Sequence, residues 1–182
     1  MSKNDGKWKR ISSKLVFDHR LKILEYQVVL PSGEKSSYIV EHGTRGAVAT
    51  LIVPKTGYII LTYQYRFPLD KWIYDLPGGS VKEAESLRLA ASREVEEEVG
   101  FTPNKLVHLT TFYTNPARVD WPMNLFFASG FSGKVSVQND PGEIVKKKLL
   151  SINKLESLIK SGKIVDPSTI IAFTSARIRG LI

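Results

Sequence analysis

The stretch from Gly79 to Phe101 constrains the fold most, because a glycine-led turn runs into a helix that ends in a cluster of carboxylates. At about 100° per residue, this helix carries an apolar stripe. Glu94 and Glu98 lie on the edge that should face the protein, Glu97 flanks them, and Glu96 should point to water. The alternative reading is a solvated acidic face. The residues of the apolar stripe are Leu87, Ala91, Val95 and Val99.

Carboxylates held this closely need a positive partner. Like charges about 5 Å apart repel by roughly 3 kcal/mol at an effective dielectric near 20, and acids near a helix C-terminus oppose the macrodipole. Oxygen ligands suit magnesium or manganese, and a chain without cysteine cannot form a thiolate zinc site. Arg93, eight residues after Glu85 and four before Glu97, is predicted to brace Glu85 and orient the metal-binding glutamates.

This segment resembles the Nudix box, GX5EX7REUXEEXGU, in which U is apolar. The resemblance implies an enzyme that hydrolyses a nucleoside diphosphate linked to another group, with Mg²⁺ (Mn²⁺ is also compatible) as the cofactor. It implies Glu94 and Glu98 as metal ligands, Glu97 as a shared ligand with a catalytic role alongside Arg93, and the Gly78 carbonyl as a further ligand. Structural roles fall to Gly79, Glu85 and Gly100. The nine matched positions are Gly79, Glu85, Arg93, Glu94, Val95, Glu97, Glu98, Gly100 and Phe101.

Composition is that of a soluble globular protein. The 182 residues, 42% hydrophobic, can bury a full core in one domain with a small appendage. The absence of cysteine excludes disulfides and thiol catalysis and fits a reducing compartment. We find no secretory leader and no apolar run of 18 to 20 residues. A cytoplasmic protein without membrane contact is expected.

The net charge of +8 raises the question of nucleic-acid binding. Seven basic and two acidic residues leave +5 in the first 22 positions, and a second basic cluster follows at 146–148. The sequence contains neither a zinc finger nor an aromatic-interleaved basic motif. The sequence therefore disfavours nucleic acid as a partner, and attraction for small phosphorylated ligands is the preferred interpretation.

Alternating and apolar runs predict the remaining elements. We expect an antiparallel N-terminal sheet within residues 1–43, with a turn at 31–33, and a Nudix domain over 44–182. By the resemblance, that domain is an α/β/α sandwich with a mixed sheet. Paired glycines at 78–79 should let the backbone approach a ligand. The predicted strands are 9–18, 21–30, 36–42, 45–54, 57–66, 70–77, 106–114, 122–131 and 143–150, and the later helices are 152–162 and 167–180.

Features outside the box resemble the ADP-ribose pyrophosphatase branch, whose members also cleave other nucleoside diphosphate sugars. Gln64-Tyr65-Arg66 followed by Pro68 resembles its Q-Y-R motif, and the segment 75–79 resembles E-x-P-A-G with Asp for Glu. Residues 166–170 resemble a D-x-x-T-I ending. A proline typical of the branch is present at Pro116, but the S-P-G motif around it is lost. A broader nucleoside diphosphate sugar hydrolase is therefore equally compatible.

The candidate substrate-binding residues are Arg66, Arg45, Arg118 and Gln64. Arg66 and Arg45 could grip a diphosphate bidentately, or pair across strands. Arg118 could contact phosphate or sugar, or be merely exposed. Aromatic side chains that could stack a base, or equally belong to the core, are Trp8, Tyr26 and Trp72. The histidines, His19, His42 and His108, have no metal-ligand spacing.

Catalysis also needs a group that takes the proton of the attacking water. The resemblance places Glu143 in an acidic loop that binds an extra metal or lies beside the general base, with Asp140 in reserve and a plain surface acid as the alternative. The preferred function is a magnesium-dependent pyrophosphohydrolase acting on ADP-ribose or a related nucleotide sugar. The alternatives are a nucleoside triphosphate or RNA-cap hydrolase and a nucleotide-sensing or RNA-binding module.

A homodimer is expected because the N-terminal sheet is too small to bury its own apolar face. In the resembling branch such sheets pair across a two-fold axis and help to build the partner's substrate pocket. Leu15, Phe17 and Ile23 should then be shielded by a second chain. The alternative is that this sheet folds back on its own Nudix core.

Overall fold

A computed structural model describes residues 6–43, 45–132 and 145–182. The chain divides into two compact units. The first unit comprises residues 1–44 together with 113–121, and the second comprises 45–112 and 122–182. Each unit is therefore built from two separate pieces of the sequence.

The first unit contains a three-stranded antiparallel sheet in the order β1-β2-β3. Its strands are β1 Lys9–Asp18, β2 Lys22–Val29 and β3 Lys35–His42, which confirms the predicted N-terminal sheet. A turn closed by the bond from Gly33 N to Leu30 O (2.9 Å) joins β2 to β3. Every residue of β1 is exposed, and Phe17 keeps 53% of its surface accessible. An apolar face of this sheet is thus uncovered within the unit.

Residues 113–121 attach to β3 and complete the first unit, which the sequence did not predict. Glu41 N donates to Arg118 O (2.7 Å), and Asp120 N donates to Glu41 O (3.3 Å). His42 Nδ1 lies 2.6 Å from Asp120 Oδ2, and Tyr38 Oη donates to Ala117 O. These bonds fix the loop that carries Pro116 and Arg118 beside the N-terminal sheet.

The second unit contains a seven-stranded mixed sheet and three helices. The strands are β4 Ala47–Lys55, β5 Tyr58–Arg66, β6 Lys71–Asp75, β7 Gly78–Ser80, β8 Thr102–Phe112, β9 Met123–Ser132 and β10 Val145–Ser151, and the helices are α1 Leu87–Val99, α2 Ile152–Lys160 and α3 Pro167–Ile178. The main strand order is β10-β5-β4-β9-β8. Strand β6 pairs with β5, β7 pairs with β4, and β4 and β9 run parallel. A 3₁₀ turn, Phe67–Leu69, separates β5 from β6.

Two hydrophobic clusters lie on opposite faces of this sheet. Successive side chains of a strand point to opposite faces, so Leu51 packs in the cluster with α2 and α3 while Ile52 packs with α1. Both side chains are fully buried, as the continuous apolar character of β4 predicted. The arrangement confirms the predicted α/β/α sandwich with a mixed sheet.

Two local predictions differ from the structure. Gly78–Ser80 forms strand β7 against β4, with Gly78 opposite Ala49. These glycines were predicted only to let the backbone approach a ligand, and in the structure they also take part in strand pairing. Leu87, assigned to the buried stripe, is 37% exposed, because it is the first helical residue and burial begins at Ala90. In the described ranges, no helix has the length and apolar character needed to cross a membrane.

Candidate active site

Helix α1 begins and ends as its sequence predicts. The side chain of Ser86 accepts a bond from Leu89 N (3.2 Å) and caps the N-terminus. Gly100 ends the helix in the left-handed region, with φ of 84°, where glycine carries no steric cost. This register turns Glu94 into the protein, where it is 8% exposed, and leaves Glu97 and Glu98 partly buried.

Arg93 binds the carboxylates of this region together. Its Nε and Nη2 atoms donate to the two carboxylate oxygens of Glu85 at 2.8 and 3.0 Å. Its Nη1 atom donates to Glu94 Oε1 (2.6 Å) and Glu97 Oε2 (3.1 Å), and Nη2 also reaches Ser80 O (3.1 Å). The Arg93 side chain is only 19% exposed. Its guanidinium connects β7, helix α1 and the loop before α1 that carries Glu85.

The carboxyl groups around Arg93 differ in their electrostatics. Hydrogen bonds from Arg93 lower the pKa of Glu85 to about 2. Burial raises the pKa of Glu94 in spite of its bond to Arg93, and the charge of Glu97 acts in the same direction. The protein alone therefore stabilises the ionised form of Glu94 less well than that of Glu85. A cation bound to Glu94 would add the missing stabilisation.

Strand β7 lies against the carboxylate face of α1. Gly78 N donates to Glu98 Oε1 (3.3 Å), and a Cβ at Gly79 would lie 2.5 Å from Glu94 Oε1. Three carboxylates beside a glycine backbone supply oxygen donors of the kind that Mg²⁺ and Mn²⁺ prefer. Among the described residues, however, no three acidic, histidine or cysteine side chains already stand in ligand geometry. Since Arg93 already holds Glu94 and Glu97, a cation would compete with it for these oxygens.

Gly79→Ala is expected to reduce turnover by about tenfold or more while the fold persists. The added methyl group would displace Glu94, and small misplacements of catalytic groups are costly. Steady-state kinetics with a magnesium titration would measure the effect. Gly57→Ala is the control for backbone strain without a contact, because a Cβ there meets no atom within 4 Å although the φ of 83° disfavours alanine. Equal activity of the two variants would contradict the assigned contact.

Arg66 and Gln64 both bind the buried Asp75 across the β5–β6 pair. Arg66 Nε donates to Asp75 Oδ2 (3.2 Å), with a second, closer bond from Nη2. Gln64 Nε2 donates to the same oxygen (3.3 Å) and is itself buried. Cross-strand pairing of Arg66, one of the two alternatives, is therefore present. The Arg66 side chain is nevertheless 41% exposed, so pairing leaves it accessible to a ligand.

The other candidates belong to other segments of the chain. Arg45 is exposed just before β4. In the first unit, Arg118, Trp8 and Tyr26 line a cavity of about 610 Å³. Trp72 stacks on Tyr63, and the amino group of a lysine covers its ring, so that aromatic face is already occupied. Glu143 and Asp140 fall outside the described residues.

Several residues of these sites were not predicted from the sequence. Arg10, Tyr38 and Tyr113 also line the cavity of the first unit, and the buried Asp75 holds Arg66 and Gln64. The periodicity of β1 and β3 could have placed Arg10 and Tyr38 on one face. No local signal could have brought Tyr113 to them, because it lies some 70 residues beyond β3.

Comparisons with known proteins agree with this geometry. The NUDIX domain matches residues 43–171. The chain is 34% identical over 167 residues to the ADP-ribose pyrophosphatase of Bacillus subtilis, covering 90% of this chain and 89% of that protein. The methanol dehydrogenase activator of Bacillus methanolicus matches with the same identity and coverage. The GDP-mannose pyrophosphatase of Yersinia enterocolitica is 26% identical, covering 97% of this chain and 98% of its own length.

A solved structure shows the same fold. The crystal structure of an ADP compounds hydrolase superposes with a TM-score of 0.85 at 21% sequence identity, covering 96% of each chain. The matched domain spans well over half of the chain and includes the whole of α1 with its carboxylates. The chain therefore belongs to the Nudix family and is a Nudix hydrolase.

Proposed function

We propose that this enzyme is a magnesium-dependent pyrophosphohydrolase that cleaves ADP-ribose or a related nucleoside diphosphate sugar into a nucleoside monophosphate and a sugar phosphate. The observation that carries the proposal is the arrangement of three glutamates on α1, where Arg93 holds Glu94 and Glu97 while Glu98 accepts a bond from Gly78 N of β7. Similarity to an ADP-ribose pyrophosphatase and a GDP-mannose pyrophosphatase supports the substrate class. The cytoplasmic location remains a prediction.

Different residues have different roles in the proposed hydrolysis. Glu94, Glu97, Glu98 and the Gly78 carbonyl would hold the cation. When bound, Mg²⁺ neutralises charge on the diphosphate and lowers the pKa of a water molecule. Arg93 orients the carboxylates of α1.

Arg66 and Arg45 supply charged hydrogen bonds to the diphosphate. Gln64 acts through Asp75, because its side chain is buried against that carboxylate. Glu143, outside the described residues, takes the proton of the attacking water, and Asp140 is the reserve for that role.

The cavity of the first unit supports a substrate that carries a base. Its volume of about 610 Å³ is in the range of small-molecule sites. Trp8 provides a ring face for stacking, and Arg118 provides a positive charge for phosphate or ribose. Arg10 covers one face of the Tyr26 ring at 4.8 Å from its centroid, so on that side a base would stack on the guanidinium and not on Tyr26.

A product assay tests the proposed function. The purified enzyme with Mg²⁺ is incubated with ADP-ribose, GDP-mannose, ATP and capped RNA, and products are separated by chromatography. We expect a nucleoside monophosphate and a sugar phosphate from at least one nucleotide sugar, with slower turnover of ATP and capped RNA. Faster release of pyrophosphate from ATP, or selective decapping, would refute the substrate class.

We also propose a homodimer in which a second chain covers the N-terminal sheet. Ile11, Val16 and Phe17 of β1 remain about half exposed, Leu15 is 43% exposed, and Ile23 of β2 is half-buried. The double variant Leu15→Glu/Phe17→Glu is expected to sediment as a monomer at micromolar concentration and to show a raised KM, because buried charges would oppose association.

The matched control for this variant is Arg20→Glu, which adds negative charge in the β1–β2 turn outside the apolar face. It should sediment and turn over like the unaltered protein. A fully active monomer of the unaltered chain in sedimentation velocity would argue against the shared pocket and leave the box chemistry unaffected.

A further inference from the structure

The carboxylate of Asp75 is held at both of its oxygens. Its Oδ2 atom accepts bonds from Arg66 Nε (3.2 Å), from Arg66 Nη2 and from Gln64 Nε2 (3.3 Å). Its Oδ1 atom accepts a bond from Leu76 N at 2.9 Å. The Asp75 side chain is only 10% exposed, and Gln64 is buried. A carboxylate bound by this many donors and shielded from water has one orientation, so it can fix the guanidinium that is paired with it.

The backbone around this carboxylate is anchored as well. Asp75 lies opposite Thr62 in the β5–β6 pair, and Thr62 Oγ1 donates to Asp75 O (3.1 Å). Two residues later, Pro77 O accepts a bond from Thr50 N of β4 (2.9 Å). Asp75 is therefore tied through both its side chain and its main chain to the central strands of the sheet.

Arg66 meets Asp75 with one edge of its guanidinium. An arginine carries five N–H groups in one plane, and Asp75 accepts one from Nε and one from Nη2. The remaining N–H groups are the two of Nη1 and the second of Nη2. They bond no other atom of the described residues, and the Arg66 side chain is 41% exposed. The end formed by Nη1 and Nη2 can therefore present two parallel donors to a phosphate group.

The segment that carries Asp75 leads directly to the glutamates of α1. Two residues separate Asp75 from Gly78, so their Cα atoms lie at most roughly 11 Å apart. Gly78 N donates to Glu98 Oε1 (3.3 Å). One short segment thus contacts the guanidinium of Arg66 at one end and a glutamate of the Nudix box at the other.

We propose that Asp75 is a positioning residue for the diphosphate, because it holds the Nε and Nη2 edge of Arg66 and leaves the Nη1 end for phosphate oxygens. This inference rests on the proposed function and adds Asp75 to the residues that determine substrate affinity. Asp75 acts through Arg66 and makes no bond to the substrate itself. Its loss should therefore change KM more than kcat, and the effect should disappear when Arg66 is changed.

The negative charge of Asp75 acts on a diphosphate in the opposite direction. A carboxylate repels a nearby phosphate group. If Asp75 influenced binding only through its charge, removing that charge would lower KM. Positioning predicts a rise in KM, so a single substitution distinguishes the two effects.

Asp75→Asn keeps the shape of the side chain but leaves it one acceptor oxygen. This variant is expected to raise KM about tenfold, with kcat within about threefold, for the nucleotide sugar that the product assay shows to be cleaved fastest. Asp70→Asn is the matched control, because it makes the same change in the same β5–β6 hairpin. Asp70 Oδ1 accepts a bond from the exposed Tyr65 (2.6 Å), and this variant should keep both kinetic constants. Thermal melts show whether the variants are folded.

A double-mutant cycle with Arg66→Lys tests whether Asp75 acts through Arg66. Lysine keeps the charge but loses the planar fork, so KM should rise, and adding Asp75→Asn should raise it little further. Gln64→Met is a milder second variant, because it removes one bond to Asp75 Oδ2 and leaves the ion pair with Arg66 in place. It should raise KM about threefold.

Three results would overturn the inference and leave the pyrophosphatase activity intact. They are an unchanged or lowered KM in Asp75→Asn, an equal rise in the Asp70→Asn control, and multiplicative effects of Asp75→Asn and Arg66→Lys. If Asp75→Asn did not fold, an unchanged KM in Gln64→Met would overturn it instead. If the unaltered enzyme cleaved no nucleotide sugar at all, the proposed function would be wrong and the inference would fall with it.

Discussion

Replacing Glu98 by glutamine is expected to lower kcat for ADP-ribose by about a hundredfold or more at saturating magnesium, with little change in folding. The carboxylate supplies a charged ligand to the cation, whereas the amide supplies only a neutral oxygen. Gly78 N donates to Glu98 Oε1, and a glutamine oxygen accepts that bond equally well. The measurement is steady-state turnover with a magnesium titration, paired with a thermal melt in metal-free buffer.

Glu96→Gln is the matched control, because it removes the same charge from the same helix. The Glu96 carboxylate accepts a bond from Ser92 Oγ (3.1 Å) on the helix itself. This variant should retain near-normal turnover. Equal losses in the two variants would show that helix charge, not metal ligation, governs the rate, and near-normal turnover of Glu98→Gln would remove Glu98 from the metal site.

Arg93→Gln is expected to lower the free energy of unfolding by about 3 to 5 kcal/mol in metal-free buffer. The substitution leaves Glu85 and Glu94, both largely buried, without their guanidinium partner. Adding Mg²⁺ should recover part of the loss, since a ligand that binds only the folded state stabilises it. Urea denaturation with and without Mg²⁺ measures both effects.

Arg88→Gln provides the comparison on the same helix. Arg88 Nη1 donates to Leu106 O (2.9 Å), and the residue is exposed. Its loss should cost about 1 kcal/mol and should not respond to magnesium. If the two variants were equally destabilised, Arg93 would be an ordinary surface arginine and the central role given to it here would be wrong.

Local chemistry explains how much of the fold the sequence predicted. The β4–β5 hairpin has its glycine at the turn, and α3 begins at Pro167 after an aspartate cap, so each boundary carries a residue with a stereochemical reason. Strand β7 was missed because three residues around two glycines have no alternation to detect. Its pairing is decided by the approach of β4, which is a tertiary contact.

The candidate site was predictable to the same extent. The helical spacing of four residues predicted that Arg93 lies beside Glu97, and the Glu85 carboxylate of the preceding loop was predicted as its second partner. The bond from Arg66 to Asp75 joins β5 to β6, and the bond from Gly78 to Glu98 joins β7 to α1. Contacts between different elements produce no periodic pattern along the chain, and a single sequence contains no other signal from which they could be predicted.

The placement of residues 113–121 with the N-terminal sheet determines how the protein can be dissected. The chain passes from one unit to the other three times, near residues 44, 112 and 121. Removing residues 1–42 would leave the backbone groups of Arg118 and Asp120 without their hydrogen-bond partner, Glu41. The N-terminal sheet therefore cannot be removed by itself. Any change in activity of a shortened chain would combine the loss of the sheet with a disturbance of residues 113–121, which lie within the hydrolase sequence.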